Sequence, residues 1–178
     1  MQPLGEKPKA TDMSKSSLIR IMGEVLALTF LLPVHAYAAG SADDQAQILN
    51  IEQGIAAAQT APALCKYFDT NLVFYDITPG VVRGLQAFSS DMVGQYAAIK
   101  DFNDKILEIG IEADDHLAFA YSVQKASWID RKSGKTVRIV FRQTDCYHHI
   151  NGKWTLVHQH DSVPFDPKTG EAVFESSP

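Results

Sequence analysis

The chain has 178 residues, 46% of them hydrophobic and 21% charged, which suits one globular domain with its own core. Sixteen basic side chains against 21 acidic ones give a net charge of −5 and leave no basic stripe, so a nucleic-acid partner is not expected. Two cysteines with neither a C-x-x-C pair nor zinc-type spacing argue against thiol-based function, and no metal or other cofactor is expected.

Residues 1–38 read as a secretory signal rather than as fold. Lys15 and Arg20 precede the apolar run Val25 to Val34, and Ala36-Tyr37-Ala38 places small residues where a signal peptidase reads them. The run falls short of the roughly 20 apolar residues that span a bilayer. An uncleaved anchor and a buried helix are the alternatives, and Met13 would make a tidier start than Met1. Cleavage after Ala38 would leave 140 residues with 12 basic and 18 acidic side chains, a net of −6. The expectation is a periplasmic or secreted protein with no stable membrane insertion. In that oxidising setting Cys65 and Cys146 can pair if their Cα atoms lie within about 7 Å.

Along the remaining chain, Asp43 and Asp44 supply negative charge at a helix start, and Ile48, Ile51, Ile55 and Ala58 recur at helical spacing over 43–60. Gly54 weakens that helix slightly. Pro62 opens a short second helix, Ala63 to Phe68. Leu72 to Asp76 reads as a strand cut off by Thr78-Pro79-Gly80. A third helix over about 85–99 places Phe88, Met92, Tyr96 and Ile99 on one side. Strands are then expected over 105–113 and 117–129, followed by the polar loop Asp130 to Lys135.

The last two strands carry the most information. Asn151-Gly152 joins runs rich in Val, Thr, Tyr, Trp and His, and both turn residues tolerate a positive φ. Strict alternation puts Trp154, Leu156, His158, His160 and Ser162 on one face, with Thr155, Val157, Gln159 and Asp161 on the other. The first face could floor a pocket. Residues 166–178 form a tail with little patterning. Helices first and a meander of antiparallel strands second mean α+β, with the helices on one face of a curved sheet.

The segment Gly152-Lys153-Trp154 through His158, His160, Ser162 and Pro164 resembles the SnoaL-like proteins of the nuclear transport factor 2-like superfamily, which includes ketosteroid isomerase. Supporting features are a strand ending in Asp76, a loop with Pro79, Arg83-Gly84 opening a helix, Trp128 followed by Asp130, and Arg142-x-Thr144. The resemblance covers roughly 43–165 and places the domain at 39–165. It implies a cone-shaped domain of three helices on a bent, mostly antiparallel sheet, a deep apolar pocket, and commonly a homodimer through the sheet. The chain departs from the family pattern at His158-Gln159-His160, where Glu is usual in the middle, and at Asp161, where an apolar residue is usual.

The resemblance also suggests roles. Asp76 stands where ketosteroid isomerases carry their general base, and a carboxylate in an apolar pocket can shuttle a proton between carbons beside a ketone. Those isomerases are a well-known case of carboxyl groups tuned by their surroundings. The Tyr they carry on their first helix has no counterpart in 43–60, and their second, protonated Asp has no evident match. The candidate catalytic residues are therefore Asp76, His158 and His160. Tyr75, Tyr96, Trp128, Arg142, Thr144 and Ser162 are candidates for contacting a small-molecule ligand. Plainer roles stand beside these: Asp76 as a cap of the Pro-Gly turn, the histidines as hydrogen-bonded wall residues, Arg142 paired with a carboxylate, and the aromatics as core. One reading is an exported isomerase, cyclase or dehydratase. The other is a non-catalytic ligand-binding or protein-interaction domain.

Overall fold

The computed structural model describes residues 42–175, so the expected signal segment lies outside the described residues. Helix α1 spans Ala42–Ala56, α2 Ala61–Cys65 and α3 Leu85–Ala98. The strands are β1 Phe68–Tyr75, β2 Val81–Arg83, β3 Ile99–Ala113, β4 Leu117–Asp130, β5 Thr136–Ile150 and β6 Lys153–Ser162. They form one sheet in the order β2-β1-β6-β5-β4-β3, antiparallel throughout except where β1 runs parallel to β6. This is the expected α+β architecture, with the helices gathered on one face of the sheet.

Local chemistry explains most boundaries. Thr60 caps α2 by accepting the Ala63 N–H, and Pro62 occupies its first turn. The second helix is shorter than expected, because Phe68 already belongs to β1. Val81–Arg83 forms a short strand instead of a mere lead-in to α3. The β5–β6 turn holds Asn151 at φ 52° and Gly152 at φ 75°, the two left-handed positions that the Asn-Gly pair predicts. Gly54 has a reason to interrupt α1: a Cβ there would overlap the phenol of Tyr67, which lies against the helix.

On β4 the even residues from Ala118 to Ala126 face the helices, and on β5 the odd residues from Ile139 to Tyr147 do so. The main core joins Ile48, Leu64, Leu72, Phe88, Tyr147, Trp154 and Leu156. A second cluster joins Ala126, Ile139 and Phe141, with Phe102 and Trp128 packed against it. The Trp154 indole N–H donates to Asp44 Oδ1 at 2.9 Å, tying the start of α1 to the start of β6.

Strand β6 is irregular, and the irregularity decides the site. Leu156 is opposite Tyr147, yet His158 is opposite Cys146, so Val157 is an extra residue with no partner across the ladder. Such a bulge reverses the phase of alternation. Trp154 and Leu156 face the helices, but beyond Val157 it is Gln159 and Asp161 that do so, while His158, His160 and Ser162 turn to the outer face. The single continuous face expected from Trp154 to Ser162 is therefore not formed.

Two further expectations change. Cys65 and Cys146 are free thiols: Cys65 packs against the inner core, whereas Cys146 lies on the outward side of β5. The residues after 165 are also more ordered in pattern than expected. Val173 N–H bonds Pro164 O at 2.8 Å, and Val140 N–H bonds Phe174 O at 2.6 Å, so the segment folds back alongside the part of β5 that lies beyond the end of β6.

Candidate functional site

Between the helices and the inner face of the sheet lies a cavity of about 190 Å³. It is somewhat roomier than the ~150 Å³ of an engineered cavity that accepts benzene. Phe68, Phe74, Phe88, Met92, Trp128 and Phe141 make much of its wall, and Asp76, Asp104, Asp161, Gln143 and Gln159 supply its polar groups. An apolar cavity with a few convergent polar side chains is the usual form of a small-molecule site. A larger depression of about 620 Å³, bordered by Gln45, Leu117, Phe119 and His148, has no such convergence of buried carboxyls.

Each aspartate reaches the cavity from a different element. Asp76 follows β1 at the entry to the Pro79 loop, where its Oδ1 accepts the Ile77 N–H at 2.6 Å and its Oδ2 accepts the Thr78 hydroxyl at 2.8 Å. Asp104 comes from β3. Burial pushes its carboxyl up to about 6, although the Lys105 backbone N–H pulls the other way. Asp161 comes from β6. Burial first, then the nearby charges of Asp76, Asp104 and Glu52, push its carboxyl up to about 8, against two hydrogen bonds from the Gln159 amide at 3.0 and 3.2 Å. At neutral pH Asp161 is thus mainly a protonated acid, able to donate a hydrogen bond.

Behind the cavity runs a buried polar chain. The Gln124 amide donates to Ser122 at 2.9 Å and to Gln143 Oε1 at 2.6 Å, and the Gln143 amide donates to Asp145 Oδ2 at 2.7 Å. On α1, Glu52 accepts the Tyr147 hydroxyl at 2.6 Å. Asp145 and Glu52 are each 1% exposed and in hydrogen-bond contact. Burial raises both, Asp145 much further, and the charge of Glu52 raises Asp145 more. The oxygens without another donor, Glu52 Oε2 and Asp145 Oδ1, are those that one proton held between the carboxyls would satisfy.

The nine residues expected at the site divide into two groups. Asp76, Tyr96 and Trp128 line the cavity. The Tyr96 hydroxyl donates to Ala58 O at 2.9 Å, and its ring meets Phe102 edge-on at 5.9 Å. The other six are on the opposite side of the sheet. The ring of Tyr75 sits edge-on to His158 at 4.9 Å and to His160 at 5.7 Å. His158 Nδ1–H donates to Val73 O at 2.7 Å, a backbone carbonyl that fixes this tautomer. Thr144 pairs with His160 and Arg142 with Ser162 across β5–β6. His158 and His160 thus come together with Tyr75, but away from Asp76's cavity.

Sequence reasoning missed Asp104, Asp161, Gln143, Gln159, Glu52 and Asp145. A usable signal existed for some of them. Gln143 and Asp145 continue the odd-numbered series Ile139, Phe141, Tyr147, and Glu52 lies one helical turn after Ile48. For Gln159 and Asp161 the bulge hid it.

Solved structures share this fold. A nuclear transport factor 2-like protein of unknown function from Pseudomonas putida KT2440 superposes with a TM-score of 0.70 at 20% identity, covering 79% of this chain and all of that one. A ketosteroid isomerase-like protein from Erwinia carotovora atroseptica gives 0.61 at 13% identity, covering 68% and 97%. A proposed dehydratase of the same superfamily from Streptomyces avermitilis gives 0.60 at 12% identity, covering 67% and 96%. At these identities the likeness establishes the fold alone. No curated protein matches the sequence. The SnoaL-like domain family matches residues 51–166, the stretch from mid-α1 to just past β6 that builds the cavity, and the chain belongs to that family.

Proposed function

We propose that this SnoaL-like domain binds a small, largely apolar molecule in the inner cavity and transfers protons on it, in the manner of an isomerase, cyclase or dehydratase. The observation that carries the reading is the pairing of Asp76 with Asp161 in one aromatic cavity, the latter held protonated at neutral pH. An acid and a base whose environments differ are what proton transfer needs. In this reading Asp161 supplies the hydrogen-bond donor to a carbonyl oxygen, and Asp76 is the base. His158 and His160 support the sheet beneath them and take no part in the chemistry.

The second reading, a binder without chemistry, is favoured by one observation: both Asp76 oxygens already accept hydrogen bonds from the turn that follows. Turnover of a co-purifying or screened carbonyl compound decides between them. The catalytic reading expects a bell-shaped pH–rate profile whose rate falls at least a hundredfold in Asp76→Asn and in Asp161→Asn with binding retained. Retained turnover in both variants would remove these residues from the mechanism.

Export and self-association belong to the same reading. Export rests on the charged, apolar and small-residue pattern of residues 1–38, and mass spectrometry of the mature protein should find an N-terminus near Ala39. Dimerisation through the outer sheet face rests on the exposed Phe119 and Tyr121, whose rings stack at 6.3 Å beside exposed Leu117.

A further inference from the structure

We propose that the ligand of this cavity carries a protonated amine, with Asp104 and Gln159 of the cavity wall as its acceptors. The inference rests on the ligand-binding reading above and adds the ligand's charge and donor chemistry.

Three observations converge. First, two oxygens of cavity-lining side chains have no hydrogen-bond donor and are closed to water, so a ligand donor reaches them as those side chains turn: Asp104 Oδ1 and Gln159 Oε1. Gln159 is only 8% exposed, and its amide nitrogen is committed to Asp161, so its carbonyl oxygen is left to accept. A buried acceptor without a donor is destabilising, a cost that a donor on the ligand would remove. An ammonium offers three N–H donors and no acceptor. A ketone or carboxylate offers acceptors only and would leave both oxygens unserved.

Second, the charge balance of the wall is one-sided. Among the described residues lining the cavity there are three aspartates and no Lys, Arg or His. The charged groups acting on Asp161 are all carboxyls: Asp76 from the end of β1, Asp104 from β3 and Glu52 from α1. Asp145 on β5 lies behind Gln143, and Tyr96 on α3 feels the charge of Asp104 while burial keeps its hydroxyl protonated. A cation entering this cavity meets carboxyls and no opposing positive side chain among the described lining residues, and an anion finds no positive partner there.

Third, the wall around Asp104 is aromatic, with Tyr96, Phe102, Trp128 and Phe141 lining the same cavity. Aromatic faces attract an organic cation while burying its carbon frame. A metal ion is a poorer occupant. Among the described residues no three His, Cys, Asp or Glu side chains converge closely enough to hold one.

The test compares three probes of one shape on the full-length protein: benzylamine, benzyl alcohol and toluene, by calorimetry. At pH 7.5 benzylamine should bind at least tenfold more tightly than benzyl alcohol. Asp104→Asn should bring benzylamine down to the level of the alcohol. Should that variant not fold, the wild-type protein still decides: Asp104 takes up its proton near pH 6, while Asp161, titrating near 8, is largely neutral at both ends of the range. Benzylamine should therefore weaken at least fivefold from pH 7.5 to 5, and benzyl alcohol should hold steady. Equal or tighter binding of the alcohol at pH 7.5, or benzylamine affinity indifferent to both Asp104→Asn and pH, would overturn the amine. Failure of all three probes, toluene included, would instead overturn the ligand-binding reading and this inference with it.

Discussion

The two halves of β6 are made of similar material and do opposite things. Before Val157, large apolar side chains at even positions face the helices: Trp154 is 1% exposed and Leu156 fully buried. After it, the even positions carry His158 and His160 outward, and the odd positions carry Gln159 and Asp161 into the cavity. The first half is held by packing and by the Trp154–Asp44 hydrogen bond. The second half places a carboxyl where it stays protonated, at a cost in stability. One unpaired residue separates a core-packing segment from a cavity-lining one.

Substitutions on each side should break that contrast in opposite ways. The largest loss is expected in the first half: Leu156→Ala should cost about 2–5 kcal/mol and Trp154→Ala about 3–5, read from urea unfolding at neutral pH. A loss under about 1 kcal/mol for both would mean that this half is not core.

In the second half, Asp161→Asn should be stabilising at alkaline pH. The sign follows from the proton count. The folded state holds the Asp161 proton up to about pH 8, whereas the unfolded chain releases it near 3.8, so stability falls as pH rises between those values. Asp104 adds to the fall between about 3.8 and 6. The wild-type domain should accordingly unfold at lower urea at pH 8.5 than at pH 5. Asp161→Asn should flatten that slope and gain on the order of a few kcal/mol at pH 8.5. An unchanged slope in the variant would show that Asp161 is ionised in the fold.

Behind the cavity, Tyr147→Phe removes the hydroxyl donated to Glu52 and should cost about 1–3 kcal/mol in the same assay. The smallest effects belong to the outward histidines. His158→Ala loses one bond to the Val73 carbonyl and should cost about 1 kcal/mol. His160→Ala, at an exposed position, should stay within about 0.5 kcal/mol and leave ligand affinity unaltered. A tenfold change in affinity there would reassign the site to the outer face.

Much of this molecule was legible from local pattern. The helical spacing of Ile48, Ile51 and Ile55, Pro62 at a helix start, the Asn151-Gly152 turn and most of the strands of the second half are consequences of short-range sterics and amphipathicity, although α1 ends at Ala56 rather than at 60 and β3 begins at Ile99, a residue expected on α3, rather than at 105. Asp76, Tyr96 and Trp128 line the inner cavity, at positions where a strand end and a helix stripe can be followed by counting. The segment Gly152 to Pro164 pointed to the family through its residues alone.

What counting could not reach was phase across a defect. Alternation is exact only along an unbroken ladder, and the bulge at Val157 is decided by how β5 and β1 pair with β6 on either side, not by any residue type at 157. The protonation of Asp161 is likewise a tertiary property, because it depends on carboxyls from β1, β3 and α1 sharing one dry space. The sequence by itself determined which segments are helix and strand, and which family the chain joins. The assembled fold decided which side of β6 faces the inner cavity, because burial, register and mutual charge exist only once distant strands are side by side.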